Sequence, residues 1–99
     1  MSERLDGKFA ISATSMEHGT VHDENDSVLF LAKDLAFLPA LRFYRGECER
    51  IGAASAQLRG IDLLIGRVEA WQYEHPALLK VPDVDDSPAG RQILAPNEV

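Results

Sequence analysis

The chain has 99 residues, 16 of them acidic and 10 basic, which gives a net charge of −6. A chain of this length forms one domain at most, and its acidic balance disfavours duplex nucleic acid as a partner. Cys48 is the only cysteine, so an intrachain disulfide is excluded, and no apolar run approaches the ~18 residues of a membrane span. These features predict a cytoplasmic protein that does not associate with membranes.

The predicted organisation is a flexible leader at residues 1–7, a single domain at 8–81 and a flexible acidic tail at 82–99. Residues 8–12 alternate apolar and polar side chains, which predicts a short strand. Residues 14–27 are polar and contain Gly19, which predicts a loop. Residues 28–32 are continuously apolar, which predicts a second strand covered on both faces or by a partner chain.

The first helix is predicted to follow a turn at residues 34–38, with Pro39 at its first position, where a missing N–H costs nothing. Gly52 is predicted to end the helix. Its apolar residues recur at spacings of three and four, which is typical of one helical face. These residues are Leu41, Tyr44, Cys48 and Ile51.

The second helix is predicted to begin with Ser55 as its cap and to end at His75 and Pro76. Its apolar face is wide. The face comprises Leu58, Ile61, Leu63, Leu64, Ile65, Val68 and Trp71. The sequence therefore predicts a small α+β protein, a ββαα unit in which a β-hairpin packs on an antiparallel helical pair. Because so short a chain buries little apolar area, we expect homo-oligomerisation to complete the core.

No catalytic or metal-binding signature is present. His18 and His22 lie near carboxylates, but the segment is a predicted loop without the spacing of a zinc or calcium motif. Cys48 stands between two glutamates on an apolar face, which favours a buried structural cysteine. The chain has no recognisable triad and no phosphate-binding glycine loop. We therefore expect no enzyme activity, no metal and no cofactor.

The helical region contains five arginines and no lysine, together with most of the aromatic residues. Guanidinium groups bind phosphates in bidentate fashion and aromatic rings stack on bases, so these residue types are those of a nucleotide pocket. The predicted ligand-binding residues are Arg42, Arg45 and Arg67 for phosphates, with Tyr44 or Trp71 against a base. In the alternative interpretation both aromatics belong to the core and the arginines pair with Glu47, Glu49 and Glu69.

Three stretches, residues 26–34, 38–44 and 68–72, resemble small uncharacterised proteins encoded by phages and prophages. The resemblance covers about half the chain. It implies a phage origin, which makes one class of small phage proteins relevant: several families counter bacterial immunity as oligomeric sponges for cyclic nucleotide or ADP-ribose-type signals, and others bind and block a host protein. It implies no catalytic residues.

Three functions follow as hypotheses. The first is a non-enzymatic homo-oligomer that sequesters a small nucleotide-type immune signal. The alternative is a protein-interaction module that inhibits or adapts a host or phage protein. The third is a helix-turn-helix regulator, since Cys48, Gly52, Leu58 and Ile61 roughly fit the spacing of that motif. The mixed charges of the second helix argue against a recognition helix.

Overall fold

A computed structural model describes residues 4–82, and contacts divide them into two compact units, residues 4–29 and Phe30–Pro82. The predicted acidic tail lies outside the described residues. The elements are β1 (Ser12–Thr14), β2 (Val21–Asp23), α1 (Phe37–Arg50), α2 (Ser55–Glu74) and a short 3₁₀ helix (Pro76–Leu78). The predicted fold class is confirmed: the protein is α+β, with a two-stranded hairpin and two packed helices in the order ββαα.

The hairpin is antiparallel and pairs Ser12 with Asp23 and Thr14 with Val21. Residues 15–20 connect its strands, and Gly19 adopts a φ of 73°, a conformation that glycine adopts without steric cost. The location of the hairpin along the chain differs from the predicted location of the strands. The segment predicted as a loop, residues 14–27, contains β2, whereas the segment predicted as a strand, residues 8–12, contributes only Ser12.

Asp6 explains why residues 8–12 do not form the predicted strand. Its buried carboxylate accepts hydrogen bonds from the backbone N–H groups of Lys8 and Phe9, each 2.8 Å long. The side chain of Glu24 accepts another from the N–H of Ile11 at 2.8 Å. Side-chain acceptors thus take the donors that a strand would direct to a neighbouring strand.

The predicted strand at residues 28–32 is also wrong, since these residues lie outside both strands. The N–H of Leu29 donates to the second carboxylate oxygen of Asp6 at 2.8 Å. In the second unit Phe30 stacks on Phe37 with ring centroids 5.7 Å apart, and the side chain of Gln72 donates to the carbonyl of Ala32. Residues 30–32 are therefore held by helix side chains rather than by a sheet.

The hydrogen bonds to Asp6 predict a pH dependence for the first unit. Burial by itself raises the pKa of this carboxyl, but the amides of Leu29, Phe9 and Lys8 and the charge of Arg4 outweigh it, so the pKa lies below its ordinary value. A lowered pKa means that the stabilisation is present above the ordinary value of about 4 and is lost as the pH falls below it. We expect the protection of the amides at residues 5–29, relative to their intrinsic exchange rates at each pH, to decrease below about pH 4. An Asp6→Asn variant should lack this component of the acid dependence, and an unchanged profile would contradict the assignment.

The first helix starts two residues before the predicted position. Asp34 begins the turn, because its side chain accepts a hydrogen bond from the N–H of Ala36 at 2.8 Å and its carbonyl accepts one from Phe37. Phe37 is the first helical residue, so Pro39 is the third rather than the first. Proline is tolerated there because the first-turn N–H groups have no intrahelical partner.

The predicted end of α1 at Gly52 is confirmed. Gly52 has a φ of 88°, and its N–H donates to the carbonyl of Glu49 at 3.1 Å. The N–H of Ala53 donates to the carbonyl of Cys48 at 2.9 Å. These two bonds form a Schellman motif, which requires a left-handed residue after the helix and so favours glycine.

The second helix matches its predicted extent but not its predicted cap. Ala54, in extended conformation, precedes the helix, and Ser55 is the first helical residue, with no side-chain capping hydrogen bond. The helix ends at Glu74. Beyond it, Lys80 forms a single bridge with Asp34, which joins the end of this unit to the segment that precedes α1.

The core of the second unit is small. Four apolar residues are buried, namely Leu41, Cys48, Ile61 and Val68. Five half-buried residues pack against them, namely Phe37, Leu38, Ala53, Leu58 and Ile65. No side chain in the described part of the chain is completely buried. None of the helices within residues 4–82 is both long and apolar enough to cross a membrane.

Candidate functional site

Ion pairs join α1 to α2 along one side of the helical pair. Arg45 binds Asp62 through two hydrogen bonds, Nε to Oδ1 at 3.0 Å and Nη2 to Oδ2 at 3.3 Å. It also binds Glu49 on its own helix at 3.0 Å. Arg42 pairs with Glu69. Arg42 precedes Arg45 on α1, whereas its partner Glu69 follows Asp62 on α2, so the two helices run antiparallel.

These pairs bear directly on the predicted phosphate site. The guanidinium of Arg45 already has two carboxylate partners, and its hydrogen bond with Asp62 is the main cause that raises its pKa above the ordinary value. A phosphate at Arg42 or Arg45 would have to displace a carboxylate. This arrangement matches the alternative interpretation of the sequence for the pair between Arg42 and Glu69 and the pair between Arg45 and Glu49.

The third predicted phosphate ligand, Arg67, has a different environment. It is exposed, and within residues 4–82 its side chain has no hydrogen bond or ion pair. With 3.6 residues per turn, Arg67 lies on the flank of α2 away from Asp62 and Glu69. Arg67 and the pair Arg42 and Arg45 are therefore on opposite sides of the helical pair, and the structure does not bring the three guanidinium groups together.

The two predicted aromatic ligands are also held by neighbours. Tyr44 is 53% exposed, and a side-chain hydrogen bond with Cys48 raises its pKa. Trp71 is half-buried and stacks on His75, with ring centroids 4.3 Å apart. The ring nitrogen Nδ1 of His75 lies 2.8 Å from the carbonyl oxygen of Trp71, which fixes the imidazole against the indole. One face of the indole is therefore occupied within the chain.

The first helix exposes a row of apolar side chains. We call the exposed side chains of Ala40, Phe43, Tyr44 and Ile51 the α1 face. Phe43 is 73% and Ile51 is 71% exposed. Their spacings of three, four and seven residues place them along one flank of the helix, away from Arg42 and Arg45. The described residues, 4–82, therefore leave the α1 face exposed.

The sequence analysis missed this face because it assigned Tyr44 and Ile51 to the core together with Leu41 and Cys48. The structure buries only Leu41 and Cys48. The signal was Phe43, which does not fit the core stripe but continues a second stripe from Ala40 to Ile51. A single partner helix covers only one apolar stripe, so the second stripe on α1 stays exposed.

The polar residues of the hairpin do not assemble a metal centre. His22 Nδ1 lies 2.8 Å from Asp26 Oδ2, and both side chains are about half exposed. His18 lies 3.7 Å from Glu17. Across residues 4–82, no three histidine, cysteine, aspartate or glutamate side chains are grouped to hold a metal ion.

Comparison with known proteins adds no relative. No family model, curated protein or solved structure matches the chain. The function is therefore inferred from the side chains described above, of which the α1 face and the ion-paired arginines are the most informative.

Proposed function

We propose that the protein is a non-enzymatic interaction module whose α1 face binds an apolar surface of a partner protein and thereby inhibits or adapts that partner. The observation that carries this proposal is the exposure of Phe43, Tyr44 and Ile51 along one flank of α1. On the resemblance to phage-encoded proteins, we take the partner to be a host protein.

The spacing of the α1 face fits a known mode of protein recognition. A helix that binds in a groove presents apolar anchors at intervals of three, four and seven residues. Ala40, Phe43, Tyr44 and Ile51 follow this pattern. Complete burial of one large apolar side chain contributes about 1.5–3 kcal/mol, so two or three anchors contribute about 3–9 kcal/mol toward binding. Tyrosine is also enriched among residues that dominate binding energies.

The other two hypotheses have less support. Nucleotide sequestration requires guanidinium groups that converge, whereas Arg42 and Arg45 bind carboxylates and Arg67 lies on the other side of the helical pair. A helix-turn-helix regulator requires a basic recognition helix. The second helix instead carries two arginines, Arg59 and Arg67, and three acids, Asp62, Glu69 and Glu74.

The proposal predicts that one substitution on the α1 face removes the partner. Phe43→Glu places a charge at the centre of the face, while glutamate remains a good helix former. We expect wild-type protein to recover a partner from a lysate of its natural host cell. The amount of partner recovered by the variant should be lower by a factor of about ten or more. Identical helix content by circular dichroism would show that the fold is kept.

Tyr73→Glu is the matched control. Tyr73 is an aromatic residue of α2 that is 87% exposed and belongs neither to the ion pairs between the helices nor to the α1 face. The Tyr73→Glu variant should recover as much of the partner as the wild type does. Recovery of the same partner by Phe43→Glu, or of no protein above background by the wild type, would refute the proposal.

A further inference from the structure

A second surface lies along α2. Leu63, Arg67, Ala70 and Glu74 follow one another at spacings of four, three and four residues and are all exposed. We call these four residues the α2 strip. Such spacing places side chains in one row along a helix. The strip lies on the flank and back of α2, away from the carboxylates that bind Arg42 and Arg45.

The charged side chains of the α2 strip have no partner in the part of the chain that the structure describes. Neither the Arg67 nor the Glu74 side chain makes an ion pair or hydrogen bond within residues 4–82. In contrast, Arg42, Arg45 and Arg50 of α1 each bind a carboxylate. The strip therefore carries one positive and one negative side chain, seven residues or about 10.5 Å apart along the axis, with an alanine between them.

We propose that two copies of the chain associate along α2 about a two-fold axis at Ala70. In this antiparallel arrangement Arg67 of one copy lies opposite Glu74 of the second copy, and the same pair forms again across the axis, since a two-fold interface repeats every contact. A parallel arrangement is disfavoured because it places like charges together. The strip is thus complementary in charge to a second copy of itself.

Ala70 fits this arrangement. It is small, so it lets two helix axes approach to about 8–10 Å at the symmetry axis. Leu63 is exposed but lies seven residues from Ala70, whereas the second α2 ends at Glu74, so Leu63 flanks the overlap of the two helices and is not covered by it. A partner is needed on energetic grounds as well, because a unit with four buried apolar residues has a minimal core. The interface does not use the α1 face, so it is independent of the proposed function.

Exchange of the two charges tests the proposal. Sedimentation equilibrium should show a dimer for the wild type, with dissociation constants at least about tenfold higher for R67E and for E74R, since each substitution creates two like-charge pairs. The double variant R67E/E74R restores both opposite-charge pairs and should dimerise as the wild type does. R59E changes the other exposed arginine of α2, which continues the row but lies about 16 Å along the axis from Ala70, beyond the end of the second α2, and it should leave the dissociation constant unchanged.

Three results would overturn the inference. The first is a wild type that remains monomeric at a protein concentration of about 100 μM, a hundred times a micromolar dissociation constant. The second is a double variant no better than the single ones, and the third is an equal effect of R59E. A monomeric wild type that still loses its partner on Phe43→Glu would leave the proposed function intact. A dimeric wild type that recovers no partner would refute the proposed function alone.

Discussion

Replacement of Ile61 by alanine is expected to remove most of the free energy of unfolding of the helical pair. Ile61 is 5% exposed and packs in the core with Leu41, Cys48 and Val68. Removal of buried methyl groups costs their transfer free energy and leaves a cavity, together about 3 kcal/mol for this substitution. A core of this size supplies a total stability of only about 3–5 kcal/mol. Urea denaturation followed by far-ultraviolet circular dichroism measures the loss.

Ile51→Ala is the matched control, because it makes the same chemical change at an exposed position. Ile51 is the residue that follows the last turn of α1, so the substitution removes no buried contact. We expect the free energy of unfolding to change by about 0.5 kcal/mol or less. Equal destabilisation by the two substitutions would mean that the core is not where the structure places it.

Replacement of Asp6 by alanine is expected to disorder the first unit. Its carboxylate accepts three backbone hydrogen bonds, from Lys8, Phe9 and Leu29, each 2.8 Å long. Hydrogen bonds to a charged group contribute more than neutral ones, and their loss leaves amide groups without an acceptor, so we expect a cost of about 3 kcal/mol. Hydrogen exchange at these three amides measures the loss of stability, and all three amides should exchange faster in the variant than in the wild type.

Glu17→Ala serves as the control for Asp6→Ala, since Glu17 is an exposed carboxylate of the hairpin turn. Its removal should leave exchange at residues 5–29 unchanged. Asp6→Asn separates charge from geometry, because it keeps one acceptor oxygen while losing the charge, and we expect it to fall between wild type and Asp6→Ala. Unchanged exchange in Asp6→Ala would show that the turn does not depend on this carboxylate.

The helices could be predicted from the sequence because their signals are local. Glycine at position 52 can adopt the left-handed conformation that a Schellman motif requires, and apolar residues at alternating spacings of three and four mark the buried side of α2. The strands could not be predicted in the same way. An apolar run at residues 28–32 is typical of a buried strand, but the hydrogen bond between Leu29 and Asp6 spans 23 residues and leaves no local trace.

The candidate ligand residues show a similar limit. Arginine and aromatic enrichment indicates which chemistry is available, but only the fold decides which partners the side chains have. Arg45 has Asp62 as its partner, 17 residues away, and that contact cannot be read from spacing along one helix. The second apolar stripe of α1 was visible in the sequence, but its exposure depends on how much of the helix α2 covers.

The two proposals use different surfaces of the helical pair. In the first, the α1 face presents Phe43, Tyr44 and Ile51 to a partner protein; in the second, the α2 strip presents Arg67 and Glu74 to a second copy of the chain. Both surfaces are exposed in the isolated chain because the buried core uses only one side of each helix. A dimer along α2 would carry two α1 faces and so offer two binding sites for the partner, which increases the apparent affinity for a multivalent target.

Native mass spectrometry of the protein, purified gently from the cells that produce it, tests the central claim most directly. The account predicts a complex that contains a second, different polypeptide, and predicts that this polypeptide is absent when the Phe43→Glu variant is purified in the same way. The contradicting result is a chain that carries only the added mass of a nucleotide-sized molecule, lost on denaturation, with the same mass retained in the variant.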